Sequence, residues 1–231
     1  ELELEKIQVG ELPELEQFML HKIFILNENF KNYFNNYDFH NLYKELLNFC
    51  TVDLSAFYFD IRKDILYCDP INSQKRKSTI ILLKIILDSL LKWFAPILSF
   101  TTEEIYRLIK QNDKSIHLEK FIKFPKSFEN RKLNNKWLKL IKIRDVSNIS
   151  IEEKRSSKEI GSSLEANIEI KLNKEYFEIS KNIDFSELCI TSKASITENT
   201  DNYIEVEAKK AKGNKCPVCW KISIEPCKRH T

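Results

Sequence analysis

Cys216-Pro217-Val218-Cys219 and Cys227-Lys228-Arg229-His230 place two pairs of ligand-type side chains close together near the end of this 231-residue chain. The spacings are Cys-x-x-Cys and Cys-x-x-His. At these spacings two tight turns can present four donors to one tetrahedral ion, and thiolates with an imidazole suit zinc. Four protein ligands would close the coordination sphere and leave no place for a substrate water. Cys216, Cys219, Cys227 and His230 are therefore read as ligands of one structural zinc. The alternative is ordinary thiols with a chance histidine, but few apolar side chains lie between the pairs to order the segment without metal.

The other cysteines, Cys50, Cys68 and Cys189, are scattered and form no disulfide framework. No charged leader precedes an apolar run, and no stretch reads as a membrane span. The greasiest segment, Ile80 to Phe94, carries Lys84, Asp88 and Lys92 at four-residue steps. The expectation is a soluble, monomeric, cytoplasmic protein with no membrane contact. The chain opens on Glu1 and is expected to be part of something longer. Only Gly10, Gly161 and Gly213 are glycine, which excludes the Gly-rich phosphate loops of Walker or dinucleotide-binding type.

Apolar periodicity predicts helices over the first two-thirds. Leu15, Phe18, Met19, Ile23, Leu26, Phe30 and Phe34 recur at helical steps. After the turn at Asn35–Asp38, a second helix should run from Phe39 to Ile61. A polar loop is expected from Asp69 to Lys77, then a buried helix from Ser78 to Phe94, stopped by Pro96. Thr101 and Glu104 match a capping box opening a short helix. Leu133, Trp137, Leu140, Ile141 and Arg144 mark a longer one. The pattern then switches to alternation over Leu164–Leu172, with two more strands expected over Leu188–Ile196 and Tyr203–Ala208 and a short helix near Glu175–Lys181. The fold class is mainly α: an antiparallel helix bundle (1–130), a basic connecting helix (131–160), a small α+β unit (161–208) and a zinc knuckle (209–231).

Charge is unevenly spread. Arg131–Lys158 holds nine lysines or arginines against three acids, and Lys209–Thr231 holds seven against one, while the rest of the chain is net acidic. Such clustering is the footprint of a polyanion partner, with nucleic acid the leading candidate. Lys139, Lys142 and Arg144 on the helix, and Lys221, Lys228 and Arg229 around the knuckle, are candidate phosphate contacts. Trp220 either packs on the metal loop or stacks on an unpaired base. No catalytic constellation stands out. Asp60 and Asp64, with Arg62 and Lys63 between them, read as a solvated helix end held by ion pairs. His21, His40 and His117 read as structural.

Three stretches, taken in order, resemble a known family. Tyr37-Asp38-Phe39-His40, Phe57-Tyr58-Phe59-Asp60-Ile61-Arg62-Lys63-Asp64 and Ala95-Pro96-Ile97-Leu98-Ser99-Phe100-Thr101 are similar to the anticodon-binding helical domain of the isoleucyl-tRNA synthetase family. Gly161-Ser162-Ser163-Leu164-Glu165-Ala166 resembles the entry to its small α+β unit, and Cys216-Pro217-Val218-Cys219-Trp220 its bacterial zinc knuckle. The family usually supplies cysteine where this chain has His230. The resemblance implies a piece that binds tRNA(Ile) beside the catalytic and editing portions of the same enzyme. It also implies ATP-dependent isoleucine–tRNA ligase activity in the larger enzyme alone, because the His-x-Gly-His and Lys-Met-Ser-Lys-Ser signatures of the ATP site are not in this sequence. The alternative is a free-standing zinc-stabilised module whose basic surface binds an acidic protein.

Overall fold

A computed structural model of the chain describes residues 4–111, 114–200, 203–227 and 229. It divides into two compact units, one of residues 1–57 and 70–131, the other of residues 58–69 and 132–231.

The first unit is an antiparallel helix bundle. Helix α1 (Glu14–Asn35) turns at Tyr37, whose φ of 55° lies in the left-handed region, into α2 (Phe39–Asn48), capped by the Asp38 carboxylate. Helices α4 (Gln74–Phe94) and α5 (Ser99–Lys110) complete the bundle. Short connections of this kind favour antiparallel neighbours. The apolar stripe of α1 is buried as its period requires, with Phe18, Met19, Ile23 and Phe30 fully enclosed. Trp93 of α4 meets Phe30 edge-on at 5.0 Å and Phe49 at 6.0 Å between ring centroids. Its indole N–H donates to Asn27 Oδ1 at 3.1 Å, and Asn27 Nδ2 donates to the Ile122 carbonyl at 2.9 Å. Asn27 thus ties two helices and the 114–125 segment at one buried point.

Several local expectations are corrected. The helix expected from Phe39 to Ile61 is not uniform: Phe49–Phe59 is a π-helical stretch, followed by α3 (Asp60–Cys68). The buried Phe49 and Leu54 are five residues apart, one i→i+5 turn, and the Thr51 hydroxyl donates to the Leu47 carbonyl, competing with the backbone ladder. Helix α4 starts four residues earlier than expected because Ser73 caps it, accepting from the Arg76 amide. Helix α5 opens at Ser99, so Thr101 lies inside it and forms no capping box.

The second unit is built on α6 (Arg131–Ser156), which buries Trp137, Leu140, Ile143 and Ile151. Strand β1 (Ala166–Leu172) is central in a three-stranded sheet, parallel to β2 (Lys193–Glu198) and antiparallel to β3 (Glu205–Lys210). Ala166, Ile168, Ile170 and Leu172 point inward, while on the opposite face Lys209 pairs with Glu169 and Lys171 with Glu205, each at 2.9 Å. The parallel crossover from β1 to β2 carries α7 (Lys174–Ser180) and α8 (Phe185–Leu188). The strand expected to begin at Leu188 begins at Lys193 instead. Asp184 accepts from the Ser186 and Glu187 amides, which starts a helical turn there, and Ile190 takes a left-handed φ of 55°.

Asn27→Ala should destabilise the bundle by about 2–4 kcal/mol, because it strands the Trp93 N–H and the Ile122 carbonyl in the interior. Chemical denaturation followed by tryptophan fluorescence would read this as a lower midpoint.

Candidate metal centre and nucleic-acid surface

Strand β3 leads through Ala211 into a hairpin of β4 (Asn214–Lys215) and β5 (Ile222–Ser223). Gly213, at φ 126°, makes the entry possible: a Cβ there would lie 2.2 Å from the Ser223 carbonyl oxygen. The hairpin is clipped to the α+β unit by Ser192, whose hydroxyl donates to the Leu164 carbonyl and accepts from the Ile222 amide at 2.6 Å. At its tip the Cys216 amide donates to the Lys221 carbonyl and the Trp220 amide to the Cys216 carbonyl, so residues 216–221 form one tight turn. Trp220 takes a left-handed φ of 63° to close it.

This turn brings three predicted ligands together. The sulfurs of Cys216, Cys219 and Cys227 all lie within 4.8 Å of one another, and Cys219 and Cys227 are 3.9 Å apart. A tetrahedral ion with metal–sulfur bonds of about 2.3 Å sets its sulfurs about 3.8 Å apart. The trio can hold a metal ion, and none of the cysteines is in a disulfide. Burial pushes the Cys219 thiol up to about 11, reinforced by Cys216 and Cys227 beside it. His230 and Lys228 lie outside the described residues.

The basic candidates are largely engaged within their own unit. Arg144 is mostly buried and donates to the Leu188 carbonyl at 2.9 Å and to Asp60 at 3.4 Å, a structural position. Lys139 pairs with Glu175 at the surface, while Lys142 is exposed. Lys221 lies near Asp184. Arg229 forks onto Asp64 and Asp69; burial works against its charge, and the two carboxylates outweigh that and raise its pKa. Trp220 is 58% exposed, with Lys215 Nζ over its ring at 5.6 Å. One face of the ring thus takes a cation, and much of it meets solvent.

The ion pairs expected around Asp60 form, with Lys63 on Asp60 at 2.6 Å at the surface, but the expectation that this stretch is solvated throughout is corrected. Arg62 is 2% exposed and pairs with Glu187, so this end of α3 is an internal junction. His21 keeps a structural role: its Nδ1 accepts from the Asn130 amide at 3.0 Å, and burial lowers its pKa. His117 contacts the Ser99 carbonyl, and His40 is exposed.

Two features of the bundle surface had no counterpart in the sequence reading. Phe34, Phe39 and Tyr43 line a cleft of about 410 Å³ with Pro96 and Ile97. Beside it Tyr37 is 82% exposed, 6.4 Å from the Phe39 ring. Phe39 and Tyr43 of α2 are themselves exposed. The second feature is a groove of about 1200 Å³ with Lys84, Lys110, Lys120 and Lys123 along it and Leu91 and Ile122 in its lining.

The chain matches the family described as the anticodon-binding domain of tRNA ligase over residues 16–172. It belongs to that family. Along its whole length it is 64% identical to an isoleucine–tRNA ligase of Pelagibacter ubique, covering 25% of that protein. The isoleucine–tRNA ligases of Bartonella quintana and Agrobacterium fabrum are 39% and 36% identical over 95% and 96% of the chain, with 24% of each relative covered. The chain thus spans about a quarter of the length of the curated relatives it matches. The family match takes in the bundle, α6 and β1, whereas the cysteine hairpin lies beyond it. Among the described residues no helix is long and apolar enough to cross a membrane.

Metal capture must displace thiol protons, so affinity for a divalent ion should fall on acidification. Each thiol that ionises on binding contributes a factor of about ten per pH unit. Cobalt titrations at pH 6, 7 and 8, followed by thiolate charge-transfer absorption, would show this order.

Proposed function

We propose that the chain is the tRNA-binding portion of an isoleucine–tRNA ligase. It holds tRNA(Ile) while the catalytic portion of the same polypeptide performs ATP-dependent aminoacylation. The similarity to isoleucine–tRNA ligases along the entire chain carries this reading. The bundle surface supports it physically. Sequence-specific RNA recognition works on unpaired bases that stack on aromatic rings, and the cleft of Phe34, Phe39 and Tyr43 with Tyr37 beside it offers rings open to solvent. The exposed lysines supply attraction to phosphates. The segment itself has no catalytic role in this reading, and editing belongs to the larger enzyme. The working state is a cytoplasmic monomer.

The cysteine hairpin is read as a structural zinc site, with Cys216, Cys219 and Cys227 as three ligands and His230 as the fourth. Zinc would serve there as a cross-link between the two turns. The chain's own contribution is the tight 216–221 turn, which aims two sulfurs at the third. Purified protein should contain about one zinc per chain. Cys219→Ser should abolish the metal while leaving the helical circular dichroism largely intact, and metal-free protein from chelator-free preparation would overturn the assignment.

Binding of tRNA(Ile) and of a non-cognate tRNA over a salt series tests the RNA reading. Affinity should fall with salt at roughly 0.7 decades per decade for each phosphate neutralised. Tyr37→Ala should weaken tRNA(Ile) by about tenfold without changing that slope, because a stacked base is worth roughly 1–3 kcal/mol and carries no counterion term. An equal affinity for wild type and variant would remove the aromatic cleft from the interface. Absence of tRNA binding at low salt would overturn the function itself.

A further inference from the structure

Arg229 stands between the two positions of the second ligand pair, Cys227 and His230. Its guanidinium points away from solvent toward the end of α3. Nε donates to Asp69 Oδ1 at 2.6 Å, one terminal nitrogen donates to Asp64 Oδ2 at 2.5 Å, and the other reaches the Asp64 carbonyl at 3.4 Å. A second contact joins the same two segments: the Cys68 thiol lies 3.9 Å from the carbonyl of Val218, inside the first ligand pair. Both halves of the metal turn therefore rest on the last turn of α3, and all these residues belong to one compact unit.

The placement of Asp69 is otherwise unfavourable. Asp69 caps the C-terminus of α3 and Asp64 lies one turn before it; at the negative end of the helix dipole the Asp69 carboxylate is destabilising and a cation is favoured. The Arg229 fork meets both carboxylates and the helix end at once, geometry that a lysine could not reproduce.

We infer that Arg229, Asp64 and Asp69 form an electrostatic latch that holds the segment carrying Cys227 in place for the metal, making Arg229 a positioning residue for the metal loop and not a phosphate contact. The latch fixes the backbone beside Cys227, so the third sulfur arrives preset against the two delivered by the 216–221 turn. It also makes metal retention depend on a helix end about 150 residues away in sequence (Val218 to Cys68). The inference rests on the metal reading above.

The full chain, loaded with zinc, is challenged with excess chelator, and release is followed with a metallochromic dye. Three variants are compared with wild type: Arg229→Lys, Arg229→Gln and the double variant Asp64→Asn with Asp69→Asn. The last leaves every residue of the tail unchanged. The latch predicts release faster by roughly tenfold for Arg229→Gln and for the double variant, as for other groups that orient metal ligands, with Arg229→Lys in between. Stoichiometry at saturating zinc should stay at one. Salt-dependent tRNA binding supplies the opposing readout. If Arg229→Gln flattens the salt slope by about one phosphate while zinc release matches wild type, Arg229 is a phosphate contact and the latch is overturned. Wild-type release rates in the double variant overturn it equally. A wild-type chain that never takes up zinc would instead refute the metal reading, a distinct outcome visible before any variant is made.

Discussion

The second unit depends on the charged residues of α3 and its C-terminal cap. Within a dozen residues Asp60, Arg62, Asp64 and Asp69 take partners from three places distant in sequence: Arg144 on α6, Glu187 on α8 and Arg229 in the tail. The Arg62–Glu187 pair is the most consequential because Arg62 is enclosed. Removing one member of such a pair leaves a buried charge without compensation, at a cost of about 3–5 kcal/mol, far more than an exposed pair contributes. Hydrophobic burial on α6 and β1 supplies compactness, but it is indifferent to how far α3 slides along its neighbours. The ion pairs and the Arg144 hydrogen bond to the Leu188 carbonyl set that register.

From this junction to the sulfurs the chain is continuous in its constraints. Strand β1 orders β2, Ser192 at the start of β2 holds the Ile222 amide, and β5 pairs with β4 immediately before Cys216. Each step is a hydrogen bond or a backbone requirement such as the left-handed Gly213. The turn that presents the cysteines is therefore shaped on the protein side before any metal contributes. Preset ligands reduce the ordering that metal binding would have to impose.

Legibility in the sequence followed the physical range of each signal. Period-3.6 burial on α1 and alternation on β1 are local, and both elements lie where the pattern put them. The Cys-x-x-Cys turn was equally local, and its two sulfurs do meet the third. The π-helical stretch was not legible, because the slip from Phe49 to Leu54 is a matter of one residue within a long apolar series. Helix α8 was missed although Asp184 was a readable cap, since the apolar run from Leu188 suggested a strand. The lysine groove was hidden for another reason: it gathers Lys84, Lys110, Lys120 and Lys123 from three segments, and no short window of sequence contains them all.

The same difference between sequence and space governs what the basic residues can do for RNA. Counting sixteen lysines and arginines in the two basic segments suggests a large electrostatic term. In the folded chain Arg144 and Arg229 are committed to internal carboxylates, and Lys139, Lys154, Arg155, Lys209 and Lys215 stand in surface pairs with Glu175, Glu159, Glu152, Glu169 and Glu165. A phosphate meeting a surface pair competes with a carboxylate worth no more than about 1 kcal/mol, so those lysines remain recruitable. A phosphate meeting Arg229 competes with two carboxylates in a fork that is partly shielded from water, and it would have to dismantle the seat of Cys227 to win. The salt dependence of RNA binding should accordingly report surface lysines of both units and not the arginines that the primary structure places beside the metal. Charge clustering along the chain therefore counts arginines whose charge already holds their own unit together, Arg144 on Asp60 and Arg229 on Asp64 and Asp69.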